Sequence, residues 1–182
     1  MSILGFFTVL FLIVCAVILA EMYREQHSFC VTHYEVHSPK ITCTAEKDPV
    51  NRIIFLSDMH NHVYGKQNNK LFEAIKAEQP DLILIGGDML VAKEHAVKME
   101  HALLLFEELT KRQIPIILSN GNHESRMRQQ PEKYEHQYET YAGRMTSMGV
   151  RILSDEACEL VHGSSSVKIY GYEMPLEYYH KL

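Results

Sequence analysis

The sequence predicts an α/β protein with a parallel sheet behind an apolar N-terminal helix. Three observations carry this. Apolar runs at 52–58, 81–88 and 114–124 recur about thirty residues apart, and each ends in polar residues of metal-ligand type. Segments with apolar residues at helical spacing separate them. Ahead of them, residues 3–20 form a stretch of 18 residues without a charge.

That stretch, "ILGFFTVLFLIVCAVILA", would rise ~27 Å as a helix, nearly the hydrocarbon thickness of a bilayer. No Lys or Arg precedes it, and "VILAEMYREQ" is a poor small-residue cleavage site. A retained single-pass transmembrane anchor over 1–24 is therefore expected rather than a cleaved signal. Arg24 is the nearby cation, on the C-terminal side, with Glu21 and Glu25 beside it. That pattern leaves the side of the membrane open. Residues 25–51 read as a linker and an edge strand, the strand in "CVTHYEVHSP".

Residues 52–58 read as the first strand. The run Ile53–Leu56 is continuously apolar, which suits a parallel strand covered on both faces. "NNKLFEAIKAEQP", 68–80, reads as helix, with Leu71, Ala74 and Ile75 on one face and Pro80 at the end. "DLILIGGD", 81–88, is the second strand. A helix over 93–112 follows, with Met99, Ala102, Leu103, Phe106 and Leu109 in register and Lys111 and Arg112 at its C-terminal end. "IPIILSNGNHE", 114–124, is the third strand and its turn. Residues 131–148 read as helix, and those beyond 150 as short strands and a hairpin, with "GSSS" at 163–166 as its turn. Strand and helix in alternation predict a parallel sheet.

Composition bounds the function. The 182 residues, 46% hydrophobic and 23% charged, suit one domain with a core. A net charge of −5 leaves no nucleic-acid footprint. Cys15, Cys30, Cys43 and Cys158 form no CxxC pair, which excludes zinc-finger and thioredoxin readings. Free thiols are expected. Cys30 and Cys43 are the pair that an oxidising compartment could join.

In open parallel sheets, ligands sit at the carboxyl ends of the strands. Here those ends carry Asp58 and His60, then Asp88, then Asn122 and His123. Carboxylate with imidazole suits manganese, iron or zinc. A bridging aspartate can hold two ions ~3.5–4 Å apart and so support in-line attack on phosphorus. Gly87 and Gly121 allow sharp turns beside those residues.

"DMH" at 58–60, "GGD" at 86–88 and "GNHE" at 121–124 resemble, in order, three blocks of the calcineurin-like metallophosphoesterases. With "SDMHN" and the anchor, the chain is most similar to their membrane-associated bacterial branch. The resemblance covers residues 52 to about 175. It implies a four-layer α/β/β/α sandwich, of which 52–182 would be the first part. It implies a dinuclear metal-dependent hydrolase of phosphate esters, diester or monoester, acting through a hydroxide held between two divalent ions. Asp58 and His60 would bind the first ion, Asp88 would bridge, and Asn122 would bind the second. His123 would act on the substrate phosphate rather than on metal. The anchor points to a lipid- or envelope-linked substrate.

The pattern departs from the family after residue 124. The family's later strand-end histidine and G-H-x-H block have no counterpart, since His162 falls in a hairpin and His180 lacks a preceding apolar strand. The chain therefore reads as the N-terminal part of such an enzyme. The alternative is a catalytically inactive membrane protein of the same fold that binds metal weakly or holds a partner. A single-metal hydrolase of another ester or amide is a third reading. Glu124 is expected behind the ligands or at a helix N-cap rather than as a ligand. Asn61 and His62 fit a pocket wall or a solvated loop equally. His95 and His101 are expected on different faces of a helix, and Arg126 and Arg128 as charges at a helix start or, alternatively, as contacts to substrate phosphates.

Overall fold

The computed structural model describes residues 2–38, 52–162 and 165–179. The chain divides into two compact units, Met1–His33 and Tyr34–Leu182. The first is one helix, α1 (Ile3–Gln26), whose N-terminus is capped by the Ser2 side chain accepting from the Gly5 N–H. None of its residues is buried, and it is long and apolar enough to cross a membrane. Arg24 and Glu21 pair one turn apart near its C-terminal end. Residues 28–38 have neither helix nor strand, so the described part of the predicted edge strand does not form. Residues 39–51, with Cys43, lie outside the described residues. Among the described residues, Cys15, Cys30 and Cys158 are free thiols.

The second unit is built on a four-stranded sheet of β1 (Ile53–Leu56), β2 (Leu82–Ile85), β3 (Ile116–Ser119) and β4 (Arg151–Leu153). All three pairings are parallel, and the spatial order is the chain order. The helices are α2 (Asn69–Glu78), α3 (Glu100–Thr110), α4 (Asn122–Gln129), α5 (Gln137–Ser147) and a short α6 (Leu176–Tyr179). β5 (Glu156–His162) and β6 (Ser165–Gly171) form an antiparallel hairpin.

Alternation along the strands divides the core into two layers. Leu82, Leu84, Ile117 and Leu153 pack against Cys158, Leu160 and Ile169 of the hairpin. Ile83, Ile85, Ile116 and Leu118 point to the opposite face and are buried. There Leu71 and Ile75 of α2, Leu103, Phe106 and Leu109 of α3, and Tyr141 and Met145 of α5 supply the matching apolar stripes.

Several expectations are corrected in detail. Among the described residues β1 lies at the edge of the sheet, and Ile53 and Phe55 are 52% and 66% exposed, so the strand is not covered on both faces. They share the hairpin side of the sheet, and the hairpin packs against β2–β4 there. The helix expected from 93 begins at Glu100, because Val91 and Lys98 pair across an irregular loop. His95 is therefore not helical; it pairs with Glu135 at 2.9 Å. The helix expected over 131–148 is broken. A single turn over Pro131–Tyr134 precedes α5, and Glu135 and His136 between them take φ of 51° and 56°. β4 joins the main sheet, a placement its three residues do not announce. His162 lies in β5; residues 163–164 of the predicted turn and His180 lie outside the described residues.

Candidate metal centre

The loops after β1, β2 and β3 meet at one edge of the sheet. The loop after β1 is tied to the loop after β2: the Asp58, His60 and Asn61 N–H groups donate to the carbonyls of Gly87 (3.1 Å), Asp88 (2.9 Å) and Met89 (3.1 Å). Holding that path takes unusual backbone. Asp58, His60, Asn61 and Asp88 take φ of 58°, 47°, 61° and 52°. Left-handed residues without glycine's freedom carry strain, and strain concentrates where geometry serves a site.

Gly87 has φ +90°, and a Cβ there would lie 2.0 Å from the Gly121 nitrogen. A Cβ on Gly121 would lie 2.4 Å from the Asp88 nitrogen. The ends of β2 and β3 thus touch backbone to backbone, and no side chain fits between them.

This packing brings Asp58, His60 and Asp88 together. One ligand atom from each lies within 4.8 Å of the others, a spacing that could hold a metal ion. His60 Nε2 and Asp58 Oδ1 are 3.6 Å apart and both side chains reach solvent. The Ser57 hydroxyl donates to Asp58 Oδ2 at 2.6 Å. Asp88 Oδ1 accepts the His123 N–H at 2.9 Å, which seats the start of α4 on the same carboxylate. Asn122, the first residue of α4, has a buried Oδ1 without a hydrogen-bond partner. A buried carbonyl oxygen left unpaired is costly, and a divalent ion would satisfy it. Two carboxylates, an imidazole and an amide oxygen form a donor set suited to Mn, Fe or Zn.

His123 stands beside these donors with its ring centroid 5.2 Å from that of His60. The Ala92 N–H donates to His123 Nδ1 at 3.1 Å, so in the neutral ring the proton sits on Nε2. Burial holds its pKa below the ordinary imidazole value; the Asp88 carboxylate opposes this, while Arg126 and His60 add to it.

Glu124 is fully buried beneath the rim. Its carboxylate accepts from the N–H groups of Asp88 (2.9 Å), Met89 (3.0 Å) and Gly121 (3.2 Å). It thus ties β2 to β3 from inside. Burial raises its pKa to about 7, although the Asp88 and Met89 N–H groups pull the other way. Arg126 lies one turn after His123 on α4 and is half-buried. Arg128 pairs with buried Glu173 at 3.0 Å. His62 stacks obliquely against Tyr64, and Asn61 Oδ1, Asn120 Oδ1 and Glu173 Oε1 are further buried acceptors without a hydrogen-bond partner. Sequence reasoning missed two participants, the Ala92 N–H and Glu173. The first is a backbone group and leaves no sequence signal. The second lies about fifty residues from the motif whose turn it contacts.

Fold and rim together define an α/β domain of the metallophosphoesterase type. Residues 51–181 match the family model for the calcineurin-like phosphoesterases, and the chain belongs to that family. No curated protein matches it. Among solved structures, a phosphopantetheinyl hydrolase from Mycobacterium tuberculosis is similar, with a TM-score of 0.47 and 18% identity over 66% of this chain. The match takes in 41% of that protein, so this chain spans less than half of its length.

Proposed function

We propose that the protein is a membrane-anchored, metal-dependent hydrolase of phosphate esters. The observation that carries this is the convergence of Asp58, His60 and Asp88 within 4.8 Å, with the His123 ring beside them. Asp58, His60, Asp88 and the Asn122 Oδ1 are the groups that would hold the divalent metal, with Asp88 shared where two ions bind. Bound there, such ions acidify a water to supply the nucleophile and offset charge on the phosphoryl oxygens.

The chain's own residues do the rest. Asp88 has one oxygen committed to the His123 N–H, which fixes the carboxylate and leaves Oδ2 for metal. His123, with Nδ1 filled by Ala92, presents Nε2–H to a phosphate oxygen or to the leaving group. Burial lowers its pKa and so favours the neutral ring, in which Nε2–H is a hydrogen-bond donor. The anchor reading rests on α1, which carries no charge from residue 3 to residue 20 and has no buried residue. An anchor of that kind favours a lipid- or envelope-linked phosphate ester as substrate.

The test uses the full chain in detergent micelles, loaded with Mn2+, against aryl phosphomonoesters and phosphodiesters. Saturable Mn2+ binding, with hydrolysis lost in Asp88→Asn and cut at least a hundredfold in His123→Ala, supports the reading. Saturable binding without hydrolysis of any phosphate ester favours a non-catalytic metal binder of the same fold.

A further inference from the structure

We propose that Glu173 is a positioning residue. It fixes α4 from behind and so sets where Asn122 and His123 project. Its functional meaning rests on the metal-centre reading above, but its geometry stands apart from it.

Glu173 follows β6 in a segment laid across the ends of two other strands. Gly171 lies so close to β4 that a Cβ there would sit 2.3 Å from the Leu153 Cβ. The Ser119 hydroxyl donates to the Tyr172 carbonyl at 3.4 Å, and the Glu173 N–H donates to Asp155 Oδ1 at 2.9 Å. The Glu173 side chain is 2% exposed. Its Oε2 takes the Ser154 hydroxyl, the Arg128 guanidinium at 3.0 Å and the Asn120 amide at 3.5 Å. Asn120 also donates to the Tyr138 hydroxyl at 2.8 Å. One buried carboxylate thus joins the end of β3, the end of β4 and α4.

Two of those partners bracket α4. Asn120 stands two residues before Asn122, and Arg128 lies in the last turn of the helix. α4 has eight residues, is polar, and has no side-chain N-cap. A helix this short does not hold itself in water. Its position is set by what grips it. Glu124 grips the front by binding the β2 end, and Glu173 grips the back. All of these contacts fall on Oε2, while Oε1 is buried without a hydrogen-bond partner, so losing Arg128 would leave a buried charge with less compensation. Direct hydrogen-bond partners of a metal ligand are worth about 10–100-fold in metal affinity; Glu173 acts one step further back, through Asn120 and Arg128, so the low end of that range applies.

The test compares Glu173→Ala, Glu173→Gln and Leu160→Ala in the full chain in detergent. Leu160 packs between hairpin and sheet, away from the turn, and reports general destabilisation. Two quantities are read below the unfolding temperature: amide hydrogen exchange at His123 and Ser125 without metal, and Mn2+ affinity by electron paramagnetic resonance. Glu173→Ala is expected to speed exchange at both amides at least tenfold and to weaken Mn2+ binding about tenfold. Glu173→Gln keeps the Ser154 and Asn120 contacts and should give a smaller change of the same sign. It also serves where the alanine variant does not fold. Leu160→Ala should leave both within twofold. Exchange in the Glu173 variants that rises no more than in Leu160→Ala overturns the proposal. A parent chain that binds no Mn2+ sinks the metal-centre reading instead, and the exchange data then decide the positioning alone.

Discussion

Replacing Gly87 by alanine tests whether the rim depends on backbone contact between β2 and β3. The added Cβ would lie 2.0 Å from the Gly121 nitrogen and 2.5 Å from its Cα. Ordinary contact begins near 3.4 Å, so the two strand ends must part by about 1.4 Å. The φ of +90° adds dihedral strain. Gly149→Ala separates the two effects, since Gly149 has φ +87° but open space around its Cβ. We expect Gly149→Ala to cost about 1 kcal/mol, from dihedral strain alone. Gly87→Ala should cost roughly 3–5 kcal/mol, because overpacking against rigid backbone is added. The protein has no tryptophan, so urea unfolding is followed by far-ultraviolet circular dichroism. Mn2+ affinity should fall at least tenfold in Gly87→Ala and stay unchanged in Gly149→Ala. Equal losses of stability in the two variants would refute the argument, since the contact would then contribute nothing.

Other expectations follow from the same geometry. Glu124→Ala strands three backbone N–H groups and should cost about 2–4 kcal/mol in urea unfolding; a loss under 1 kcal/mol would show that they find other acceptors. His123 should titrate below 6.5 by NMR in metal-free protein. Its folded-state value is depressed, so the unfolded chain takes up the proton first. The His123 contribution is then full above pH 6.5 and declines as pH falls below it, while Glu124, raised to about 7, acts in the opposite sense over the same interval, so the difference in stability between the parent and His123→Gln, rather than the parent curve, should shrink as pH falls. A midpoint at or above 6.5 contradicts this. Phe55→Ser should leave unfolding free energy within ~0.5 kcal/mol while reducing self-association in size-exclusion chromatography, because the ring is 66% exposed; a large destabilisation would mean that the ring is covered.

The sheet was legible because parallel strands read as unbroken apolar runs. Ile53–Leu56, Leu82–Ile85 and Ile116–Ser119 form at the centres of the predicted segments. The rim was legible because strand ends in such a sheet converge, and Asp58, His60 and Asp88 do come together. What failed was context. The exposure of Ile53 and Phe55 depends on where the hairpin packs, and no local pattern encodes that. The late start of α3 reflects the Val91–Lys98 pairing, which competes with helical spacing. The break before α5 sits at Glu135 and His136, whose left-handed backbone neither residue type advertises. Arg128 read as a helix-start charge because Glu173, its partner, is 45 residues away in sequence.

The strand order β1-β2-β3-β4 has a kinetic consequence. Among the described residues every pairing in this sheet joins consecutive strands, so none of these four inserts between earlier ones. Each strand can dock on the open edge as it leaves the ribosome, with only one loop to close each time. The candidate ligands would come together in the same sequence: Asp58 and His60 wait for β2 to bring Asp88, and Asn122 arrives with β3. The rim should then assemble before the hairpin forms. Pulse-labelled hydrogen exchange during refolding would show protection at Ile83 and Leu118 ahead of Ile169.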